Sequence, residues 1–572
     1  MPKFAPFKNE TYQDFSRKPV ADKLRAALAQ VRSTFGQKYD LIIGGQRLKA
    51  PETFVSYNPS NKNVVLGVFP KASARQARQA VEVAHRAFEH WQHEPAERRA
   101  ARLFKVARLM RKRRNQLNAW CILEAGKTWP EADGDVAEAI DFAEFYAREA
   151  LRLSGPQKVT PFPGERPEAR YIPLGVVVVI PPWNFPAAIL AGMTFAALVA
   201  GNTVVLKPSS DTPGIGAQIA EIIIAAGFPD GVFNFVPGGG ATAGNAMVEH
   251  PQTRMIAFTG SKQVGLDIVA RAAQTQPGQI WIKRVIAEMG GKNAIIVDSS
   301  ADLEAAAQGA LASAFGYQGQ KCSAGSRIIV HKKVYDKFLE KLMPRVEALS
   351  VGDAEDPSNF MGPVINQAAW DSITHYLLVG REESRLVAGG EADNTSGYFI
   401  APAVFADVDP QARIAQEEIF GPITAIIRAQ NFDHALEIAN STEYGLTGAV
   451  YSASRKNLEK TRENFFCGNL YLNRKCTGAM VGAHPFGGFN MSGTDSKAGG
   501  RDYLLLFTQG KAISEKPLRA ARPLKKKMKR PKKKAKSRKK PAKAAKKKKA
   551  RKQKKTARAR KKTRAKKPRK RR

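Results

Sequence analysis

The chain has 572 residues, 43% hydrophobic and 25% charged, with a formal net charge of +41. That length exceeds one hydrophobic core and suits two or three packed domains, and the composition is that of a folding chain. Cys121, Cys322, Cys467 and Cys476 show no C-x-x-C pair and no histidine at ligand spacing, which excludes a disulfide scaffold and a zinc site; reduced thiols, a cytoplasmic location and no metal are expected.

Met1 to Phe15 contains Glu10 and Asp14 and no apolar run, so no secretory leader is expected. Asp40-Leu41-Ile42-Ile43-Gly44-Gly45 predicts a hairpin turning at the glycine pair. Three helices follow, from about Ser73 to Trp91, Ala96 to Lys127 and Glu131 to Leu151; in the second, Leu103, Val106, Ala107 and Met110 share one stripe. Pro156 to Pro167 is a connector punctuated by proline and glycine. The pattern then alternates. Strands are predicted at Val176–Ile180, Thr203–Leu206, Val232–Val236 and Met255–Phe258, with helices at Pro186–Ala200, Thr212–Ala226 and Gly240–His250 between them. Alternation with apolar strands predicts an α/β fold with a parallel sheet covered on both faces. Ile295–Val297, Arg327–Val330 and Ala449–Tyr451, with helices between, predict a second α/β unit. The apolar stretch 175–206 is interrupted too often to cross a bilayer, so no transmembrane segment is expected.

Four short runs carry chemistry. A lone cysteine is most often a small buried hydrophobe, but Cys322 lies in Gly319-Gln320-Lys321-Cys322-Ser323, a glycine-flanked polar setting suited to a reactive thiol. Glu288 ends an apolar run that enters Met289-Gly290-Gly291-Lys292, where loss of solvent would raise its pKa toward the range useful for a general base. Asn184 sits in Pro182-Trp183-Asn184-Phe185-Pro186, and Glu418 in Glu418-Ile419-Phe420-Gly421-Pro422. No G-x-G-x-x-G follows the first strand.

Together these runs resemble the aldehyde dehydrogenase superfamily, over roughly Tyr39 to Phe507. The resemblance implies a Rossmann-type NAD domain with N-terminal helices over 1–288, including a connector and oligomerisation hairpin at 155–172. It also implies a catalytic domain over 289–475 and an oligomerisation strand region over 476–515. Cys322 would attack the aldehyde, Asn184 and the Cys322 N–H would hold the oxyanion, and Glu288 would activate water against the thioester. The cofactor would lie along Lys207-Pro208-Ser209-Ser210 and Phe258-Thr259-Gly260-Ser261, with Gly260 and Ser261 at a helix start facing the pyrophosphate. Lys207 would bind the adenosine ribose, Glu418 the nicotinamide ribose, and Phe420, Pro182 and Trp183 would flank it. Ser210 stands where many NAD-preferring members carry a glutamate, so NAD is expected with NADP left open.

Three segments narrow the resemblance to the branch oxidising L-glutamate γ-semialdehyde, the opened form of 1-pyrroline-5-carboxylate, in the second step of proline breakdown. They are Gln276 to Val285, the Cys322-Ser323 pair, and Asn473 to Ala479 with Pro485-Phe486-Gly487-Gly488 after it. Ser323 and the amides of Gly478 and Ala479 would bind the substrate carboxylate, and Phe185 and Phe486 would wall its aliphatic part. A homo-oligomer joined through Cys476 to Lys511 is implied, and a proline dehydrogenase is a candidate partner. Another semialdehyde is the nearest alternative substrate.

Residues 516–572 hold 35 Lys and Arg and no Asp or Glu, leaving 57 basic against 51 acidic residues in the other 515. No apolar periodicity runs through this tail, so disorder is expected. Its Lys-Ala-Pro texture resembles linker-histone tails, and a nucleic-acid-binding protein is the rival reading. The tail has no aromatic residue, so contact with nucleic acid or another polyanion would be made through phosphates alone.

Overall fold

Val176–Ile180 is five β-branched residues in a row, all buried, the composition a strand needs when helices cover both faces of its sheet. In the computed structural model, which describes residues 5–517, this strand lies inside a seven-stranded sheet, at the centre of its five parallel strands. Its parallel part runs in the order Arg284–Glu288, Thr253–Thr259, Val176–Ile180, Thr203–Leu206, Phe233–Phe235. The antiparallel hairpin Leu41–Ile43 and Gln46–Leu48 completes it, turning at Gly44 and Gly45 with φ of 61° and 78°. Both turn residues are left-handed, as a two-residue hairpin requires.

A second seven-stranded sheet has the order Arg385–Ala388, Ala403–Ala406, Ile423–Ala429, Arg327–His331, Ala294–Val297, Thr447–Tyr451, Asn469–Leu472. Every neighbouring pair is parallel except the first. Arg166–Pro173 and Thr508–Glu515 form a separate antiparallel ribbon paired over eight residues.

Several expectations need correction. The helix expected over Ala96 to Lys127 is two helices, Ala96–Lys112 and Arg114–Ala125, broken at Arg113. The break turns Arg114 onto the Asp133 carboxylate at 2.7 Å and lets the second helix bury every residue from Leu117 to Ala125. A helix at Lys18–Arg32, not anticipated, packs the stripe Ala21, Leu24, Leu28 and Val31 inward. Gly240 to His250 opens with a π turn over Gly240–Gly244 before the α-helix Asn245–Glu249. The end of the connector is extended, since Arg166 begins the ribbon strand and Gln157 bridges Ala169. Cys476 is fully buried, its Sγ 3.3 Å from the Ser323 carbonyl.

Among the described residues no helix is long and apolar enough to cross a membrane, and no His, Cys, Asp and Glu group could hold a metal ion. The disorder expected for 516–572 falls, from residue 518 onward, outside the described residues.

Candidate active site

The two sheets meet with opposite ends facing the same space. From the first sheet, four strands deliver residues at their carboxyl ends: Asn184 after Val176–Ile180, Lys207 after Thr203–Leu206, Gly260 and Ser261 after Thr253–Thr259, and Glu288 at the tip of Arg284–Glu288. Carboxyl ends of parallel strands are where open α/β sheets bind ligands. From the second sheet come the segments that precede strands, with Cys322 and Ser323 before Arg327–His331 and Glu418 and Phe420 before Ile423–Ala429.

Cys322 stands at a junction. A cavity of about 770 Å³ runs past Pro182, Trp183, Asn184, Lys207, Ser210, Gly260, Ser261, Glu418 and Phe420 to reach it. A second, of about 350 Å³, reaches it past Phe185, Ser323, Gly478, Ala479 and Phe486. A third, of only about 50 Å³, has Cys322 and Glu288 on its walls. Cys322 is the one residue common to all three. Every residue singled out in the sequence thus lines one of three spaces that converge on one sulfur.

The backbone bringing Cys322 there is strained. Tyr317 and Gln318 both have φ of 55°, a left-handed conformation that side chains resist. Side-chain bonds hold the kink, with the Tyr317 hydroxyl donating to Ala125 O at 2.8 Å and Gln318 Nε2 to Pro363 O at 2.7 Å. Asn293 Nδ2 donates to the Cys322 and Ala324 carbonyls, 2.8 Å each. Gly291 lies so close that an added Cβ would meet Cys322 O at 2.6 Å, and one on Gly290 would collide with the Glu418 carboxylate, which explains the glycine pair after Glu288.

Electrostatics set the protonation of this group. Burial, then the charges of Glu418 and Glu288, push the Cys322 thiol up to about 12, against the N–H groups of Ser323 and Cys322. The sulfur therefore rests as a thiol at neutral pH. Burial also raises Glu288 to about 7, although the Ser496 hydroxyl and N–H, the Gly488 N–H and Lys497 favour its charged form. Glu418 is likewise raised by burial to about 7 while Oε1 accepts from Gly291 N at 2.8 Å. Asn184, buried, donates one amide hydrogen to Gln320 O at 2.9 Å and keeps its second.

In the large cavity, Lys207 is anchored by donating to Pro208 O at 3.0 Å and Gly238 O at 3.3 Å. Ser261 caps the helix Lys262–Ala273. Trp183 meets the Phe420 ring edge-on at 5.5 Å. An elongated, apolar-walled slot ending at a helix N-terminus fits a dinucleotide.

The smaller cavity holds groups that sequence reasoning did not single out. Lys321 donates to Glu131 at 2.6 Å, and Glu138, Lys475 and His484 share the walls. Lys127, fully buried, lies 4.0 Å over the Phe185 ring and 4.2 Å over Tyr317, with Asp135 at 3.5 Å. Ser496, which bonds Glu288, was also missed. Only Lys321, adjacent to Cys322, carried a local signal.

The aldehyde dehydrogenase family pattern matches residues 47–513. This chain belongs to the aldehyde dehydrogenase family and is an enzyme of it. It is 55% identical over 510 residues to 1-pyrroline-5-carboxylate dehydrogenase of Geobacillus thermodenitrificans, covering 89% of this chain and 99% of that protein. Among solved structures it is similar to 1-pyrroline-5-carboxylate dehydrogenase from Thermus with bound NAD, at 49% identity and a TM-score of 0.88, covering 90% of this chain and 99% of that one. It also resembles proline utilization A from Bdellovibrio bacteriovorus, at 46% identity and a TM-score of 0.89, covering 91% of this chain but 54% of the longer protein.

Proposed function

We infer that the chain oxidises L-glutamate γ-semialdehyde, formed by ring opening of 1-pyrroline-5-carboxylate, to L-glutamate with NAD as hydride acceptor. The observation that carries the substrate is a set of hydrogen-bond donors on the wall of the 350 Å³ cavity. There the Ser323 hydroxyl and the backbone N–H groups of Gly478 and Ala479 line the wall, and none donates to another described residue. Uncommitted donors on the wall of one cavity suit a carboxylate. Phe185 and Phe486 line the same cavity and would flank the aliphatic part of the substrate. The relatives' names and the match to half of proline utilization A support the same placement, after proline oxidation.

Cys322 adds to the aldehyde carbon, its proton leaving to water, and the remaining Asn184 amide hydrogen and the Cys322 N–H hold the oxyanion. The cofactor supplies an acceptor for the hydride that leaves that carbon. A thioester remains on Cys322. Glu288, as the carboxylate, takes a proton from water in the small cavity; the hydroxide adds to the thioester carbon, the C–S bond breaks, the sulfur takes the proton of the new carboxylic acid as glutamate leaves, and Glu288 returns its proton to solvent. Lys207, Ser210, Gly260, Ser261 and Glu418 hold the cofactor, with Pro182, Trp183 and Phe420 packed around it.

The test is a substrate panel with each cofactor. kcat/KM for pyrroline carboxylate should exceed that for succinic semialdehyde by about a hundredfold or more, because only the former presents a carboxylate and an ammonium on one carbon. NAD should be the better cofactor, with NADP giving measurable turnover, since Ser210 bears no charge to repel a 2′-phosphate. Equal rates for simple aliphatic aldehydes would remove the carboxylate assignment.

A second reading concerns residues 516–572, whose 35 cationic and no acidic residues favour a polyanion partner. We expect truncation after Glu515 to leave kcat unchanged and to eliminate retention on duplex DNA at low salt. In the full chain that retention should fall steeply as salt rises, without sequence preference. Equal retention of both forms would assign any binding to the remainder of the chain.

A further inference from the structure

The segment from Phe486 to Ala498 closes on itself. Phe486 N donates to Ala498 O at 2.9 Å, and Ala498 N donates to Phe486 O at 2.7 Å. Within it, Asn490, Asp495 and Lys497 take φ of 52°, 52° and 53°, three left-handed non-glycine residues in eight positions. Such conformations persist only where surrounding bonds over-determine them, and they cluster at functional sites. Here the bonds are visible. Thr494 N donates to Ala287 O at 2.9 Å, Met289 N to Ser492 O at 2.8 Å, and Lys497 Nζ to Gly468 O at 2.8 Å and Gly487 O at 2.9 Å. The loop is stapled to the end of the strand that carries Glu288.

What the stapled loop delivers is three donors aimed at one carboxylate. Gly488 N donates to Glu288 Oε2 at 3.0 Å, while Ser496 N and Ser496 Oγ donate to Oε1 at 3.0 and 2.7 Å. The 50 Å³ cavity has Glu288, Ser496 and Cys322 all on its walls, enough room for a water beside both reacting groups.

We propose that Ser496 is a positioning residue for Glu288, its hydroxyl setting where the carboxylate lies beside the small cavity and how readily it takes a proton. This rests on the reading of Glu288 as the base against the thioester. Of the three donors, only the Ser496 hydroxyl is a side chain, so it is the one that substitution can remove. It is also neutral. The charged and titratable groups facing Glu288 are Lys497 on the same loop, Cys322 on the catalytic segment and Tyr503 beyond it. Removing the hydroxyl leaves all of those charges in place. A hydroxyl that donates to a carboxylate favours the ionised form, so its loss makes the carboxyl harder to ionise.

The experiment is the pH profile of steady-state NADH formation for Ser496→Ala and Ser496→Thr, with the pre-steady-state burst measured alongside. In Ser496→Ala the ascending limb of kcat should move to higher pH by roughly one unit, the scale of one charge-assisted hydrogen bond. KM and the burst amplitude should stay as in the parent, because neither the aldehyde pocket nor the sulfur is altered. Ser496→Thr, which keeps the hydroxyl, should retain the parent limb. If Ser496→Ala does not fold, Ser496→Gly carries the same expectation. An unmoved limb in the hydroxyl-free variant, or an equal shift in Ser496→Thr, overturns the proposal. The two readings fail separately: steady turnover in Glu288→Gln removes the base itself, whereas a stalled Glu288→Gln with an unmoved Ser496→Ala limb removes only the role of Ser496.

Discussion

Cys322→Ala should abolish NADH production, lowering kcat by at least about a thousandfold, while NAD binding stays near that of the parent. The reason is positional. Cys322 is where the cofactor-sized cavity, the aldehyde-sized cavity and the water-sized cavity meet, so no other thiol can substitute. Cys121, Cys467 and Cys476 are buried and free, and Cys476, the nearest in the fold, directs its sulfur at the Ser323 carbonyl. The anchors proposed for the cofactor, Lys207, Ser261 and Glu418, are held by bonds that do not involve the sulfur. Steady-state turnover and NAD titration by fluorescence read the two halves of the expectation. Turnover near that of the parent would place the nucleophile elsewhere, and lost NAD binding would mean that the sulfur holds the fold of the slot.

How much of this was legible before folding depends on how local each signal is. Cys322, Glu288, Asn184 and Glu418 stand in contiguous runs whose neighbours are needed for the same geometry. Of the glycines after Glu288, Gly290 admits the Glu418 carboxylate and Gly291 the Cys322 carbonyl, and the strained turn before Cys322 requires the polar side chains that brace it. The parallel first sheet was readable because its strands are apolar runs separated by helices. Partnerships across the chain were not. Glu131 lies 190 residues from Lys321, and its helix reads as an ordinary amphipathic pattern although Asp133, Asp135 and Asp141 are buried within it. Ser496 lies 208 residues from Glu288, in a loop with left-handed residues at Asn490, Asp495 and Lys497, where no glycine signals the turn. The break at Arg113 interrupts no apolar stripe in the sequence; a contact with Asp133 in the next helix decides it, and periodicity cannot report that.

Glu288→Gln should separate the two half-reactions. The amide keeps the size of the carboxyl but cannot accept a proton at neutral pH, so the thioester should form and then wait. The expected record is a burst of about one NADH per active site, followed by a steady rate reduced by about 10²- to 10⁴-fold, the usual worth of a general base. The pH dependence should change with it. Burial holds Glu288 at about 7, so in the parent the competent, ionised form is lost as pH falls through 7 and gained as it rises. The parent rate should therefore climb across that range, and the glutamine variant should lose this limb because nothing at the position titrates. A stability cost accompanies the change. The parent carboxylate accepts from Ser496 through one oxygen and from Gly488 through the other. With its oxygen kept on Ser496, the new amide nitrogen faces the Gly488 N–H, donor against donor, a loss of about 1–3 kcal/mol that a melting curve would detect. Mass spectrometry of the stalled variant should find the acyl group on Cys322. A burst-free trace with an unmodified sulfur would instead show that Glu288 is required before the thioester, to take the proton from a thiol that rests near 12.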